Sequence, residues 1–466
     1  MTHAIPACQA TELADFIAKH KIRTISLASP DLHGYARGKQ LTADALLKSP
    51  DSPIHLSTLL ALLDYGNYPI EPPPDDTRWW PGWHNGYADC VGKIDTNSVR
   101  QVPWQHRTAL ALCDFEPVDQ SYSFDFFPRR MLSKLVEQVE AKGYTVRIGY
   151  EMEMNLFRRP INQQSNSGAT YAPLWPRLEA YLLTTLGRHY EFIHALIEGL
   201  RDFKLNIESW HSEAAPGQLE ITLGPNLPSK AADDAFLLKY AVKELAAAND
   251  LVASFMARIS NDAFSNGNHI NLSVWRDDKN LFFDNGKVSN TLRQATAGII
   301  DSLPELVLMY APTPNSFRRY EPYLWTGSQL AWGIDNKSTV LRAVVDRSQS
   351  ARLEQRAGGA DANPYLLAAA MLVGFLHGVD KGLVPPEPVS GDAYADTKIQ
   401  SLGGSFEAAI DRFSRSDIAA EYLDADFIRF YTHTRRAENI LFQQHVGEIQ
   451  SKNVSDWEFS RYFESV

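Results

Sequence analysis

Residues 213–223 read Glu213-Ala-Ala-Pro-Gly-Gln-Leu-Glu-Ile-Thr-Leu223. From Gln218 onward the polar residues Gln218, Glu220 and Thr222 alternate with Leu219, Ile221 and Leu223. That period of two describes a strand with one apolar and one polar face. The Ala-Ala-Pro-Gly run reads as a turn, so Glu213 closes a preceding strand. Three further stretches repeat the pattern: Tyr150-Glu151-Met-Glu153-Met154, Asn268-His269-Ile-Asn271-Leu-Ser273-Val274, and Arg352-Leu-Glu354-Gln-Arg356. A solvated sheet face also alternates, but here the opposite face is strongly apolar and the polar face is rich in carboxylates. If the strands share one sheet, Glu151, Glu153, Glu213, Glu220 and Glu354 converge on one surface. Like charges at that density cannot all stay ionised without cations. Oxygen ligands with one histidine suit Mg2+ or Mn2+ rather than a thiolate-seeking metal. Arginines on the same surface face anionic groups such as carboxylate and phosphate. Together they point to phosphoryl transfer from a nucleotide, in which positioning and charge stabilisation do the catalysis.

Outward from these strands the chain alternates helix and strand without a βαβ rhythm, which predicts an α+β fold with antiparallel sheet. Helices are expected over 11–20, 129–142, 188–202, 230–259, 291–303 and 363–379, and strands over 22–28, 34–41, 109–113 and 145–157. Residues 67–104 are rich in Pro, Gly, Asp and Trp and read as irregular connections; 161–170 reads as a polar loop. The texture changes near 105–120. With 466 residues and roughly 150 residues per domain, two or three domains are expected.

Other chemistries find no support. Forty-five Lys and Arg against 56 Asp and Glu give a net charge of −11, which argues against nucleic acid or an anionic membrane as partner. The most apolar stretch, Leu366–Leu376, is shorter than the ~18–20 residues of a membrane span and reads as a core helix. Cys8, Cys90 and Cys113 form neither a metal motif nor a disulfide framework, so a cytoplasmic location is expected. The run Gly34-Tyr-Ala-Arg-Gly38-Lys39-Gln40 is one residue short of a phosphate loop and lacks its Ser or Thr. No dinucleotide, zincin, serine-hydrolase or kinase signature is present.

Six blocks in order then carry a resemblance: Glu151-Met-Glu153, Glu213-Ala-Ala-Pro-Gly-Gln-Leu-Glu220, Asn266-Gly-Asn-His269, Asn315-Ser-Phe-Arg-Arg319, Asn336-Lys-Ser-Thr-Val-Leu-Arg342 and Arg352-Leu-Glu354-Gln-Arg356, followed by Asn363-Pro-Tyr-Leu366. The chain resembles glutamine synthetases of the bacterial class I type. Asp31-Leu-His-Gly34 and Arg37-Gly-Lys39 are similar to strands of that family's first domain. The resemblance implies a small N-terminal β-grasp-like domain over 1–110 and a catalytic domain with a curved antiparallel sheet over 111–466. It implies one divalent ion on Glu153, Glu213 and Glu220 and a second on Glu151, His269 and Glu354, bridging the phosphates of ATP. Arg319 and Arg356 would hold glutamate, with His269 and Glu153 also on the substrate side. Lys337 and Arg342 would serve catalysis, Arg342 at phosphate. Asn271, Ser273 and Arg352 would line the nucleotide side. ATP would phosphorylate the γ-carboxylate of glutamate, and an amine would displace phosphate. The implied assembly is a dodecamer of two hexameric rings with sites between subunits.

The departures narrow the expectation. Ammonia-using members carry a flap glutamate six residues after the position of Arg319; here that position is Trp325, with Glu321 nearby. Lys337 stands where Arg is usual, which keeps charge but loses the planar fork. Ser265-Asn-Gly-Asn-His269 replaces a Gly-Ser-Gly-Met-His run. In these respects the chain is similar to the γ-glutamylpolyamine and γ-glutamylmonoamine branch. Asp64 matches the amine-binding aspartate that, in this resemblance, the first domain of a neighbouring subunit supplies. Trp79, Trp80, Trp83 and Trp325 either pack in the core or a subunit interface or line an amine pocket; two or more lining it would suit a bulky or aromatic amine better than a polyamine. The rival readings are an ordinary ammonia-using glutamine synthetase, and a non-catalytic relative that would have no reason to keep six metal ligands. Tyr394 lies near a modified tyrosine of some relatives, but Asp392-Ala-Tyr394-Ala does not match that loop.

Overall fold

The computed structural model describes residues 7–48, 54–72, 82–118, 124–160, 171–447 and 453–466. Its axis is the strand Thr145–Arg158. Val146, Ile148, Tyr150, Met152, Met154 and Leu156 are buried on one face, and Glu151 and Glu153 stand on the other. Strand Asn268–Arg276 pairs with it on one side and Gln218–Asn226 on the other, both antiparallel. The sheet order is 329–334, 339–344, 352–355, 268–276, 145–158, 218–226, 207–212. Neighbours along this path are antiparallel except Gln329–Ile334 with Thr339–Val344, which run parallel.

The apolar face of this sheet lies on a helical layer that includes Pro228–Ala247, Asn290–Tyr310 and Pro364–Asp380. Burial of one face against helices while the other stays polar is what the alternating strands require. The last two helices touch backbone to backbone. A Cβ on Gly298 would sit 2.1 Å from the carbonyl oxygen of Gly374, so only glycine permits that approach. Leu366–Leu376 is wholly buried inside this layer, as a core helix. Among the described residues no helix is long and apolar enough to cross a membrane.

A smaller sheet precedes it, in the order 36–42, 24–30, 108–117, 89–94, 54–57. Thr24–Pro30 and Thr108–Pro117 run parallel. The helix Ala7–His20 packs Leu13 and Ile17 against Ile25, Leu27, Ala111 and Cys113. Strand Thr108–Pro117 crosses residue 110 and pairs within this first sheet, so that sheet ends at 117. Arg129 joins the two sheets' layers: its guanidinium donates to Asp95 and Asp114 of the first unit and to Asp233 of the helix Pro228–Ala247.

Most expected elements are found within a few residues. The expected helix over 230–259 ends instead at Ala247. Asn249 and Asp250, the latter at φ 55°, turn the chain, and Leu251–Ser254 becomes a strand against Asn155–Arg158. The helix expected over 291–303 runs on to Tyr310 with Pro304 inside it. Residues 188–202 hold the end of Leu183–Arg188 and then Tyr190–Asp202. The expected loop 161–170 lies outside the described residues.

Candidate functional site

The polar face of the larger sheet floors a cleft of about 240 Å3. Strand register assembles it. Glu153 lies opposite Glu220, Glu151 opposite both Thr222 and His269, and Glu354 opposite Asn271 and Arg342. Glu213 arrives through the tight hairpin from Ser212 to Gln218. There Gly217 has φ 68°, and a Cβ would lie 2.5 Å from the Leu156 carbonyl oxygen. Leu, Ile or Met at every second position locks this register, because a one-residue slip would bury the carboxylates. All six expected metal ligands therefore meet in one cleft, with Arg319, Arg342, Arg356, Lys337 and Trp325 along its walls.

Charge is distributed unevenly. Glu354 is buried and accepts from Arg342 Nη1 at 2.8 Å and from Arg356 Nη1. Burial opposes its ionisation, but Arg356, His269 and Arg342 outweigh it and hold the carboxyl well below its ordinary value. Glu151, Glu213 and Glu220 have only histidines within ion-pair range among the described residues. Glu151 accepts from Asn271 Nδ2 at 2.9 Å. Burial works against its charge, yet His269 and Asn271 pull its carboxyl below the usual value. Glu153 accepts from the Gly267 N–H at 2.7 Å and from Gln218 Nε2 at 3.1 Å; burial still raises it, and Glu213 adds to the rise. Glu213 has His211 Nε2 3.0 Å away and accepts from the Ala214 N–H; these overcome burial and lower it. Glu220 is pushed well above the usual range by burial first and then by Glu153, Glu151, Glu213 and Glu354.

Two observations fit this face to divalent ions. The buried His269 Nδ1 has no hydrogen-bond partner among the described residues and lies 3.7 Å from both a Glu151 and a Glu354 oxygen. Glu220 is an acid whose charge the protein alone does not compensate. Donor atoms of Glu151, Glu220 and His269 fall within 4.8 Å of one another, as do those of His211, Glu213 and Glu220. These groupings differ from the expected split, in which Glu354 joins Glu151 and His269 while Glu220 joins Glu153 and Glu213. Here Glu354 is engaged by its two arginines.

Arg319 is almost wholly buried. Its Nη1 donates to the Ala357 carbonyl at 2.7 Å while its Nε is unpartnered. Arg356 Nη2 donates to the Trp325 carbonyl at 3.0 Å, tying the wall to the floor. A second cavity of about 340 Å3 adjoins the cleft and shares Glu151 with it. Asn271, Ser273 and Arg352, the residues expected on the nucleotide side, line this cavity with Trp275. Arg352 Nε donates to Asn271 Oδ1 at 2.9 Å, and Trp275 Nε1 donates to Ser273 Oγ at 2.9 Å. Arg147 lies over the Trp275 ring at 4.4 Å.

Several expected residues are not brought here. Asp64 is buried in a turn away from the cleft of its own chain. Its Oδ1 accepts from the Gly66 and Tyr68 N–H groups at 2.8 Å each, and its Oδ2 from Arg461 at 2.9 Å. Trp83 is exposed and packs edge-on against Tyr87; Trp79 and Trp80 lie outside the described residues. Glu321 does not line the cleft, and its charge bears on Arg258. Conversely, Tyr181 and His211 belong to the site region without having been anticipated. Their rings stack at 4.2 Å, and Tyr181 lines the cleft beside Glu213. His211 carried a usable signal, since it precedes Glu213 by two residues on the same strand face. Tyr181 carried none.

The glutamine synthetase catalytic domain matches residues 125–462. The chain belongs to the glutamine synthetase family. It is 30% identical to a glutamate–isopropylamine ligase of a Pseudomonas species, over 98% of each chain. It is also 30% identical to the γ-glutamylethanolamide synthetase of Streptomyces coelicolor, over 98% of this chain and 96% of the relative. A γ-glutamylputrescine synthetase of Escherichia coli is 28% identical over 90% of this chain and 89% of its own. Among solved structures, one titled as a GmaS/ADP complex superposes with a TM-score of 0.79 at 23% identity, covering 96% of this chain and 98% of that one. That likeness supports the fold. Ligases of the glutamine synthetase family use ATP and divalent metal ions.

Proposed function

We propose that this protein is an ATP-dependent ligase joining the γ-carboxylate of glutamate to a primary amine through γ-glutamyl phosphate. The observation that carries this reading is the wall residue Trp325. It lines a cleft that keeps all six metal-ligating side chains, at the position where ammonia-using members carry a carboxylate. The relatives named for isopropylamine, ethanolamide and putrescine chemistry support an organic amine as acceptor.

In this reading Glu153, Glu213 and Glu220 would hold one divalent ion and Glu151, His269 and Glu354 the other; ions held there would supply positive charge to offset that of the triphosphate. Asn271, Ser273 and Arg352 hold the nucleotide in the adjoining cavity, and Glu151 stands where the two cavities meet. Arg319 and Arg356 bind glutamate; the buried Nε–H of each has no hydrogen-bond partner among the described residues. Lys337 and Arg342 face the transferring phosphoryl group, where preformed positive charge is worth most in the transition state. The γ-carboxylate oxygen attacks the γ-phosphorus and ADP leaves. The neutral amine nitrogen then attacks the acyl carbon, phosphate carries off the C–O bond electrons, and the amine's proton passes to solvent or a cleft carboxylate. Trp325 and Tyr181 restrict water, which would otherwise hydrolyse the acyl phosphate. The assembly belonging to this reading is a dodecamer of two hexameric rings. The reduced, buried Cys90 and Cys113 suit a cytoplasmic setting.

The test is glutamate-dependent phosphate release from ATP and Mg2+ with ammonium, putrescine, spermidine, alkylamines and aromatic amines. Turnover with an organic amine and little with ammonium supports the ligase. Turnover with ammonium alone makes it a glutamine synthetase and overturns the proposal. Silence with every acceptor, together with no Mg2+-dependent ATP binding, makes it a non-catalytic relative.

A further inference from the structure

Beside the cleft lies a third cavity of about 310 Å3, sharing Trp325 and Lys337 with it. Its other walls include Tyr323, Asn336, Asp392 and Tyr394. Tyr323 and Tyr394 come from segments 71 positions apart, and their rings meet at 5.0 Å. The wall is braced from behind. Asn336 Nδ2 donates to the carbonyls of Val389 and Gly391 at 3.0 and 2.8 Å, and Ser338 Oγ accepts from the Ala393 N–H at 2.9 Å. Asp392 accepts from the Tyr323 hydroxyl at 3.2 Å and from the Tyr394 backbone N–H at 2.9 Å.

The opposite wall is held in an uncommon backbone form. Tyr323 and Trp325 have φ of 65° and 62°, the left-handed region that bulky side chains rarely adopt. The two residues are 62% and 60% exposed. Such strain collects at ligand clamps, where the surrounding structure imposes it. Two large aromatic rings kept exposed at that cost, next to a reaction cleft, have no role in the core.

We infer that this cavity receives the organic substituent of the acceptor amine, and that its walls select a primary monoamine with an apolar, ring-sized substituent. The inference rests on the ligase reading and names its substrate class. The cavity borders the cleft, with Trp325 and Lys337 lining both, so an amine seated at that border presents its nitrogen to the reaction centre while its substituent rests against the aromatic wall. A diamine or polyamine fits poorly. Asp392, the one acid on the wall, is already engaged by Tyr323 and Tyr394, and the Lys337 charge repels a second ammonium. The volume is at the lower end of small-molecule sites, which favours one ring over a long chain.

The experiment compares benzylamine with methylamine as acceptor for the full chain and for Tyr394→Ala, Tyr323→Ala and Tyr394→Phe. The readouts are kcat/KM for each amine and KM for glutamate. Each alanine variant is expected to lose about tenfold in kcat/KM for benzylamine, while methylamine stays within about twofold and glutamate KM is unchanged. Tyr394→Phe keeps the ring and is expected to stay near the parent. Equal loss for both amines, or no loss for benzylamine, overturns the inference. A parent that uses methylamine but not benzylamine keeps the ligase reading and overturns the pocket. If no acceptor stimulates the parent, the ligase reading fails. The pocket is then judged by the rise in thermal midpoint with benzylamine, and absence of a rise that Tyr394→Ala abolishes overturns it. Tyr323→Ala, at an exposed ring, supplies the comparison if Tyr394→Ala does not fold.

Discussion

Replacing Glu220 with glutamine isolates the cost of crowding acids on one sheet face. Glu220 is held well above the usual carboxylate range, by burial first and then by four neighbouring carboxylates. A group raised in the folded state adds stability that is complete below its unfolded value and is lost as pH rises through the folded value. Metal-free parent protein should therefore lose stability relative to Glu220→Gln as pH climbs from 5 toward 8, since glutamine has nothing to ionise. Magnesium reverses the order. At one hundred times the dissociation constant a single ion adds about 2.7 kcal/mol. With 466 residues and roughly 2.1 cal/mol/K of unfolding entropy per residue, that is a midpoint rise of about 3 °C per ion and about 6 °C for two. The assay is differential scanning calorimetry in chelator and in Mg2+ at several pH values. Expected are a variant more stable than the parent in chelator at pH 7.5, and a Mg2+ response cut by at least half. A variant less stable than the parent in chelator, or an equal Mg2+ response in both, would refute the reasoning.

Gly217→Ala places a Cβ against the Leu156 carbonyl oxygen at a positive φ; a loss of about 1–3 kcal/mol is expected in chemical denaturation, with weaker Mg2+ binding because Glu213 hangs on that hairpin. Trp325→Glu returns an acid to the flap position, and the ratio of ammonium to organic-amine turnover in steady-state assays should rise at least tenfold. Arg461→Met leaves Glu438 and Asp64 without their shared guanidinium; a loss of about 3 kcal/mol is expected, read in urea melts. Arg356→Leu removes one of the two arginines assigned to glutamate, and the glutamate KM should rise by 10- to 100-fold, the equivalent of about 1.5–3 kcal/mol for a charged hydrogen bond.

Local pattern made the floor of the site legible. Glu151, Glu153, Glu220, His269 and Glu354 sit in strands whose alternation fixes the face each presents, so four short stretches were enough to place them together. Composition was a weaker guide at element ends. The apolar, Ala-rich run after Pro228 continues past Ala247, but Asn249 and Asp250 end the helix, and pairing with Asn155–Arg158 turns the next residues into strand. Contacts between distant segments were not legible. Tyr181 meets His211 across 30 positions, and Tyr323 meets Tyr394 across 71, through loops whose conformations depend on side-chain braces such as Asn336. The turn at Asp64 shows the same limit, because only the fold reveals that Arg461 takes up its carboxylate.

The uneven charge of the cleft explains why one residue at its rim can redirect the acceptor. Glu354 already pairs with two arginines. Among the described residues Glu213 and Glu220 have only histidines within ion-pair range and wait for ions. An added carboxylate at residue 325 would extend the uncompensated acids to the mouth and attract a small ammonium ion by charge alone. An indole there offers no such attraction, so an incoming amine must be held by its substituent. In the proposed reading Trp325, standing where ammonia-using members carry an acid, is also a residue that lines the aromatic cavity. Loss of charge-based capture and gain of an apolar seat are thus a single change, and they predict that improving one by mutation will weaken the other.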